Sequence, residues 1–305
     1  MSIPFNRAFP HSPGEVVELS PRLRRVTAPN PSMFTFKGTN SYIVGRGRVA
    51  IVDPGPASPE HADALVSAVA AGGESVASII VTHTHNDHSP GVPLLQARLP
   101  EPVPTYGYGP HGVERTREWP FTSAEGGDMD FRPDVLVPDG GLIEGDGWTL
   151  EALHTPGHIT NHLCFALLEE EVLLSGDHVM GWSTSVVSPP DGDMASYMTS
   201  LRKLLGRGEH TYHPGHGGPV GEPQAFVRAF IAHRTEREQQ ILDCLKPGPL
   251  TIPEMVAVMY ADVAPELHRA AARSVLAHLL KMCEQDHTVA SVDGPVGPDA
   301  RYALA

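Results

Sequence analysis

No stretch of this 305-residue chain is both long and apolar enough to span a bilayer. The first ten residues, Met1 to Pro10, hold no unbroken apolar segment of the kind an export signal needs. Both absences point to a cytoplasmic protein with no membrane partner. Cysteine is scarce. Cys164, Cys244 and Cys283 are odd in number and far apart, which excludes a disulfide framework or a zinc knuckle. They read as small buried hydrophobes in a reducing compartment. Positive charge is also short, with 22 Lys and Arg against 36 Asp and Glu, a net charge of −14. The deficit lies in residues 1–224, where 14 basic residues face 26 acidic ones; residues 225–285 hold 7 of each. Broad electrostatic capture of nucleic acid is therefore disfavoured, although bound cations would offset part of the acidic excess.

Histidine is abundant, at 17, and it is concentrated. His83-Thr-His85-Asn-Asp87-His88 packs four metal-ligand side chains into six residues. The segment directly follows the β-branched run Ser78-Ile-Ile-Val81 and precedes Ser89-Pro90-Gly91, which cannot continue a strand. A strand ending here delivers its ligands to the carboxyl edge of a sheet, where α/β proteins place their chemistry. His83 and His85, two apart in extended chain, point the same way and can grip one ion. Asp87 and His88 lie past the bend and can face a second. Imidazole with carboxylate suits zinc, and less selectively iron or manganese.

Tyr42 to Val44 and Val49 to Val52 flank Gly45-Arg-Gly-Arg48 as a β-hairpin. Pro59 to Ala71 has helical apolar spacing and stops at Gly72-Gly73. Residues 100–147, rich in Pro and Gly, give no periodicity on which to place an element. Trp148 to Leu153 alternates as a strand, and Leu163 to Leu168 with Val172 to Ser175 forms a second hairpin around three glutamates. Beyond Glu222 the pattern changes to a long charged helix through Phe226, Phe230, Ile231, Ile241 and Leu242, ending near Lys246-Pro-Gly-Pro249. Thr251-x-x-Glu254 matches a capping box for a helix through Tyr260. Pro265 opens another helix striped by Leu267, Ala271, Val275, Leu279 and Met282, and a β-prone tail follows. The expected division is residues 1–222 as the main domain, 223–248 as a connecting helix and 249–305 as a winged-helix-like module.

Three more segments place one ligand-type residue on a glycine turn after a strand: Thr155-Pro-Gly-His158, Ser175-Gly-Asp177 and His213-Pro-Gly-His216. With HxHxDH in this order, residues from about 38 to 217 resemble the metallo-β-lactamase superfamily. That resemblance implies an αββα sandwich and two zinc ions per chain, with iron or manganese as alternatives. One ion would be bound by His83, His85 and His158, the other by Asp87, His88 and His216, with Asp177 bridging. Lys37-Gly-Thr-Asn-Ser-Tyr42, Pro214-Gly-His-Gly217 and the pattern around His233, Arg234, Arg237, Glu238 and Ile241 resemble the β-lactamase-like protein 2 subgroup. Its members carry a C-terminal winged-helix-like domain and include endoribonucleases acting on single-stranded RNA and acyl-carrier thioesterases.

The expected activity is metal-dependent hydrolysis by a hydroxide shared between the ions, with Asp87 and Asp177 as the catalytic carboxylates. Cleavage of single-stranded RNA is the favoured reaction, and hydrolysis of a small-molecule thioester, ester or lactone is the alternative. A mononuclear iron persulfide dioxygenase is compatible with the same ligands. A β-CASP nuclease is excluded, because His216 follows Asp177 by only 39 positions. A flavodiiron site would need Glu in place of His85. A winged-helix DNA-binding regulator would need a basic recognition helix, and residues 265–283 offer only Arg269, Arg273 and Lys281. No stable DNA binding is expected, and the module serves as a lid or in a homodimer. Asn40, Trp182 and Tyr197 are expected at the mouth of the site, and Asp53 and His162 behind the ligands.

Overall fold

The structure, a computed structural model, describes residues 3–119, 121–122, 125–262 and 264–305. Seven strands run in chain order across one sheet: β1 (Val16–Ser20), β2 (Leu23–Thr27), β3 (Asn40–Val44), β4 (Arg48–Val52), β5 (Ser75–Ile80), β6 (Thr105–Gly107) and β7 (Val135–Leu136). The first four pair antiparallel, and β5 to β7 add in parallel. Parallel neighbours need crossovers. α1 (Pro59–Ala71) and α2 (Val92–Gln96) lie in two of them. Ser58 caps α1 by accepting from the His61 amide, and Pro59 opens its first turn. A second sheet holds β8 (Leu142–Gly145), β9 (Trp148–His154), β10 (Leu163–Leu167), β11 (Val172–Gly176) and β12 (Thr211–Pro214), with only the β11–β12 pair parallel.

The strand period of two sorts side chains between layers. From β3 and β4, Tyr42, Val44, Ala50 and Val52 meet Leu150, Ala152, Phe165 and Leu174 of the other sheet. Ile43 and Ile51 point the opposite way, onto Leu65 and Val69 of α1 and Leu95 of α2. On the outer face of the second sheet, Leu153, Cys164, Ala166 and Leu173 are covered by α3 (Met194–Leu204) and α4 (Pro223–Leu245). Helix, sheet, sheet, helix is the resulting order. Both sheets turn an apolar face outward as well as inward, and each outer face needs a helical cover.

The C-terminal module stands on α4. α5 (Ile252–Met259) starts at a capping box in which Thr251 and Glu254 satisfy each other's backbone amides. Pro265–Leu267 forms a 3-10 turn before α6 (His268–Glu284), where the sequence pattern suggested one continuous helix. A small sheet ordered β13 (Leu250–Thr251), β15 (Arg301–Leu304), β14 (Val289–Ser291) completes a helix–helix–ribbon winged-helix fold. Its core gathers Ile241, Leu245, Met255, Val275, Leu279 and Tyr302. α6 also reaches the two-sheet body, where Ala277 joins the core under α3 and α4. No helix among the described residues is long and apolar enough to cross a membrane.

Several elements fall outside those expected from the sequence. β6, β7 and β8 lie in residues 100–147, and α3 lies between Asp177 and His216.

Candidate metal centre

Each ligand-bearing turn sits where a strand of one of the two facing sheets gives out. His83 and His85 follow β5, His158 follows β9, Asp177 follows β11 and His216 follows β12. Two trios of side chains converge. One ring nitrogen each from His83, His85 and His158 lies within 4.8 Å of the other two, and ligand atoms of Asp87, His88 and His216 form a second such group. Asp177 stands between them. Its Oδ2 is 3.8 Å from His158 Nε2 and 3.2 Å from His216 Nε2, while its Oδ1 is 3.6 Å from His88 Nε2. Glycine makes this approach feasible: a Cβ on Gly215 would stand 2.4 Å from Asp177 Oδ1.

The opposite nitrogen of every ligand imidazole is engaged from behind. His83 Nδ1 lies 3.0 Å from Thr82 Oγ1, and His85 Nε2 lies 3.3 Å from Asp191 Oδ2. His88 Nδ1 meets Asp53 Oδ2 at 2.9 Å, His158 Nδ1 the Val186 carbonyl at 2.7 Å, and His216 Nδ1 the Gly38 carbonyl at 3.3 Å. A carboxylate or carbonyl there requires a proton on that nitrogen, so the lone pair of the other faces the centre. Asp53 has a positive φ of 52° and also accepts the Thr82 amide and hydroxyl, both at 2.7 Å.

The electrostatics are those of a seat for positive charge. Burial disfavours charge on His83, and its imidazole neighbours His88 and His85 add to the effect; its pKa falls well below the ordinary value. Burial alone would do the same at His88 and His216. At His88, Asp87, Asp53 and Asp177 outweigh it and lift the pKa well above the ordinary value; at His216, Asp177 and Asp87 do so and lift it to about 10. Burial works against ionised Asp87 and Asp177, yet the facing imidazoles hold both below the usual carboxylate range. The residues fit divalent ions on a separate ground. His88 Nε2, His158 Nε2 and Asp177 Oδ1 are buried, face the centre and have no hydrogen-bond partner in the protein, a costly arrangement unless a cation uses them.

A model of the metallo-beta-lactamase superfamily matches residues 34–216, more than half the chain. The chain belongs to this superfamily. A beta-lactamase associated winged helix model matches residues 251–294. Among curated relatives, an atrochrysone carboxyl ACP thioesterase of Aspergillus novofumigatus is 30% identical over 95% of this chain and 84% of its own length. A protein of the same description from Claviceps purpurea is 31% identical over 85% and 78%. A beta-lactamase domain protein of Burkholderia ambifaria shares the fold with a TM-score of 0.78 at 19% identity, covering 97% of both chains. Superfamily membership makes this chain a hydrolase.

Two residues expected at the mouth are turned inward. Tyr197 is fully buried; its hydroxyl donates to the His178 carbonyl and the Arg234 guanidinium lies over its ring. Asn40 is buried too, and its amide donates to the Pro214 and Gly217 carbonyls, fixing the His216 turn from behind. Both brace neighbouring backbone and are closed off from solvent. Trp182 is half-buried and stacks on Phe36 at 4.8 Å. His162 Nε2 accepts the Asp177 amide at 3.0 Å and so orients the central carboxylate, while its ring packs 5.1 Å from that of His83.

Two carboxylates escaped the sequence reading. Asp191 Oδ1 binds Arg115 at 2.5 Å and faces His111 at 3.3 Å while its other oxygen faces His85. Glu125 Oε2 lies 3.6 Å from His85 Nδ1 and 3.8 Å from His158 Nε2. Neither sits beside a motif. Only the fold brings them to the centre.

Proposed function

We propose that this chain is a dinuclear metal-dependent thioesterase, cleaving an acyl group from a thiol carrier. His83, His85 and His158 hold one divalent ion, Asp87, His88 and His216 the other, and Asp177 lies between both. The imidazole and carboxylate set suits zinc, with iron or manganese as alternatives. When bound, such a pair supplies an activated water at neutral pH and stabilises negative charge developing on a carbonyl oxygen.

The chain's own residues do the rest. Asp87 has the most exposed side chain of the seven, at 21%, and its Oδ2 is fixed by the Thr39 hydroxyl at 3.1 Å and by His216 Nε2 at 3.1 Å. It is the ligand placed to orient a nucleophilic water toward substrate. Asp177, nearly enclosed, keeps the two trios apart.

The similarity to acyl-carrier thioesterases over nearly the whole chain carries the choice of a thioester over RNA. Leaving-group chemistry agrees. A thiol has an ordinary pKa of about 8.5, so a departing thiolate needs no proton donor, whereas the alkoxide from RNA does. The acidic residues 1–224 also repel a polyanion. We read residues 1–222 as the catalytic body, 223–248 as the connecting helix and 249–305 as a module that shapes access to it.

The test compares hydrolysis of an acyl-pantetheine thioester with cleavage of single-stranded RNA, by wild type and by Asp87→Ala combined with His88→Ala. Thioester turnover by the wild type alone is expected. RNA cleavage without thioester turnover would return the reading to the nuclease branch.

A further inference from the structure

Residues 182–188, between the Asp177 turn and α3, belong to no helix or strand. Among the described residues, no backbone–backbone hydrogen bond involves positions 182–187, so side chains must hold this stretch in place. It matters to the centre because the Val186 carbonyl accepts from His158 Nδ1 at 2.7 Å. The position of that oxygen sets the plane of an imidazole whose Nε2 faces the ions.

Val186 is anchored on both sides. Val187 is buried in the core under α3 and α4. Ser185 is held twice: its hydroxyl donates to the Asp177 carbonyl at 2.6 Å and the His178 carbonyl at 2.7 Å, and its own carbonyl accepts from Nη2 of Arg234, on α4, at 2.5 Å. The same guanidinium lies 5.3 Å from the centre of the Tyr197 ring on α3. The His158 turn rests on that part of α3. The Asp193 amide donates to the Gly157 carbonyl at 2.9 Å, and a Cβ on Gly157 would stand 2.3 Å from Tyr197 Cα. One side chain of α4 thus touches both supports of His158, the loop that orients its ring and the helix beneath its backbone.

Arg234 is an expensive residue for mere packing. It is 4% exposed, and its Nε has no hydrogen-bond partner. The ion pairs of α4 lie further along, at Glu238 and Asp243, and among the described residues no carboxylate pairs with Arg234. Burying an unpaired guanidinium is costly, and an apolar side chain of similar length would fill the space without that cost. What the guanidinium adds is a charge-assisted donor for one backbone oxygen and a flat cation for an aromatic face.

We infer that Arg234 is a positioning residue of the metal centre. It fixes the Ser185–Val186 peptide, and through the Val186 carbonyl it holds His158 in register with His83 and His85. The inference rests on the metal reading above, not on the identity of the acyl group.

The experiment measures Co²⁺ binding to the full chain by competition with a chelator at fixed pH. Proton–nitrogen-15 spectra of the zinc-loaded protein follow the Nδ1 proton of His158. Wild type is expected to bind two ions and to protect that proton from exchange. Arg234→Met keeps the length of the side chain and removes its donors. It should lose about 10–100-fold in affinity for one ion, the scale of losses from groups behind the ligands, while the His158 proton exchanges faster. If the methionine variant does not fold, Arg234→Lys takes its place. It keeps the charge but not the flat fork, and should show the same two changes in smaller degree. Wild-type affinity for both ions and an unchanged His158 signal in the folded variant would overturn the inference and leave the hydrolase reading standing. Equal weakening of both ions with no change at His158 would mark a merely structural role and overturn it as well. Wild type that binds no ion would overturn both the inference and the metal reading beneath it.

Discussion

Asp53→Asn tests whether the centre is tuned from behind, and its consequence can be worked from three hydrogen bonds. Asp53 Oδ1 accepts the Thr82 amide at 2.7 Å, while Oδ2 accepts the Thr82 hydroxyl at 2.7 Å and faces His88 Nδ1 at 2.9 Å. An asparagine must keep its oxygen on the Thr82 amide, because that N–H can only donate. Its NH₂ then stands where Oδ2 stood. The Thr82 hydroxyl can turn and accept, but His88 Nδ1 must become an acceptor as well. A neutral imidazole has one proton, which moves to Nε2, the atom facing Asp87 and Asp177. The lone pair the ion needs is lost.

Losses of such supporting groups run to about 10–100-fold in metal affinity, or about 1.4–2.7 kcal/mol. The loss should fall on the ion held by Asp87, His88 and His216. Chelator competition with Asp53→Asn and wild type measures it, and nitrogen-15 spectra of the zinc-loaded proteins report which His88 nitrogen carries the proton. The reverse amide orientation offers no escape, since it sets two buried donors against each other at about 1–3 kcal/mol. Wild-type affinity for both ions, or a His88 that keeps its proton on Nδ1, would refute the reasoning.

Other predictions follow from the same contacts. In the metal-free protein His216, raised to about 10, contributes stability that is complete below its ordinary pKa of 6.5 and is lost as pH rises toward 10. Asp87 and Asp177, held low, contribute stability above 3.8 that is lost as pH falls below it. Buried His83, His162 and His178, whose pKa values burial holds below the ordinary 6.5, cost stability as pH falls below that value. The midpoint of thermal unfolding of chelated protein should therefore be highest near about pH 6.5, and metal addition should flatten its alkaline limb. Since the ligands must shed those protons, metal binding near pH 7 should release protons, read as a dependence of the binding enthalpy on buffer ionisation. Tyr197→Phe should cost about 1 kcal/mol in chemical denaturation, because the His178 carbonyl keeps its bond from Ser185; KM should not move, since Tyr197 is buried. Phe230→Ala, which empties a fully buried position between α4 and the second sheet, should cost about 3–5 kcal/mol in the same measurement.

The parts of the centre legible in sequence are those that local chemistry forces together. His83, His85, Asp87 and His88 lie in one strand-end turn, and the glycines beside His158, Asp177 and His216 mark three more. The apolar runs of β3, β4, β10 and β11 and the alternation of β9 likewise made these strands readable, while the facing of the two sheets was implied by the family resemblance. α3 carried a signal that went unread: Met194, Tyr197, Met198, Leu201 and Leu204 have helical spacing behind an Asp193 cap. By contrast, β6 and β7 are two or three residues long and owe their existence to pairing, β6 with β5 and β7 with β6, which no local pattern encodes. The burial of Asn40 and Tyr197 was hidden for the same reason. A polar side chain in a loop looks alike in sequence whether it faces solvent or braces a carbonyl beneath the site.

Glu125 and Asp191 carry this point furthest. Both face His85, one on each ring nitrogen, from segments 66 residues apart in the chain. Asp191 sits behind the imidazole and fixes its orientation, while Glu125 sits in front, beside His158. Arg115 binds Asp191, and Arg117 two positions on binds Glu284 of α6. Arg115 and Arg117 thus join the carboxylate behind His85 to the C-terminal module. A ligand set shared across the superfamily can host many hydrolytic reactions. Selection among them then depends on what surrounds the two trios, and the Asp191–Arg115 pair behind His85 is part of that surrounding in this chain.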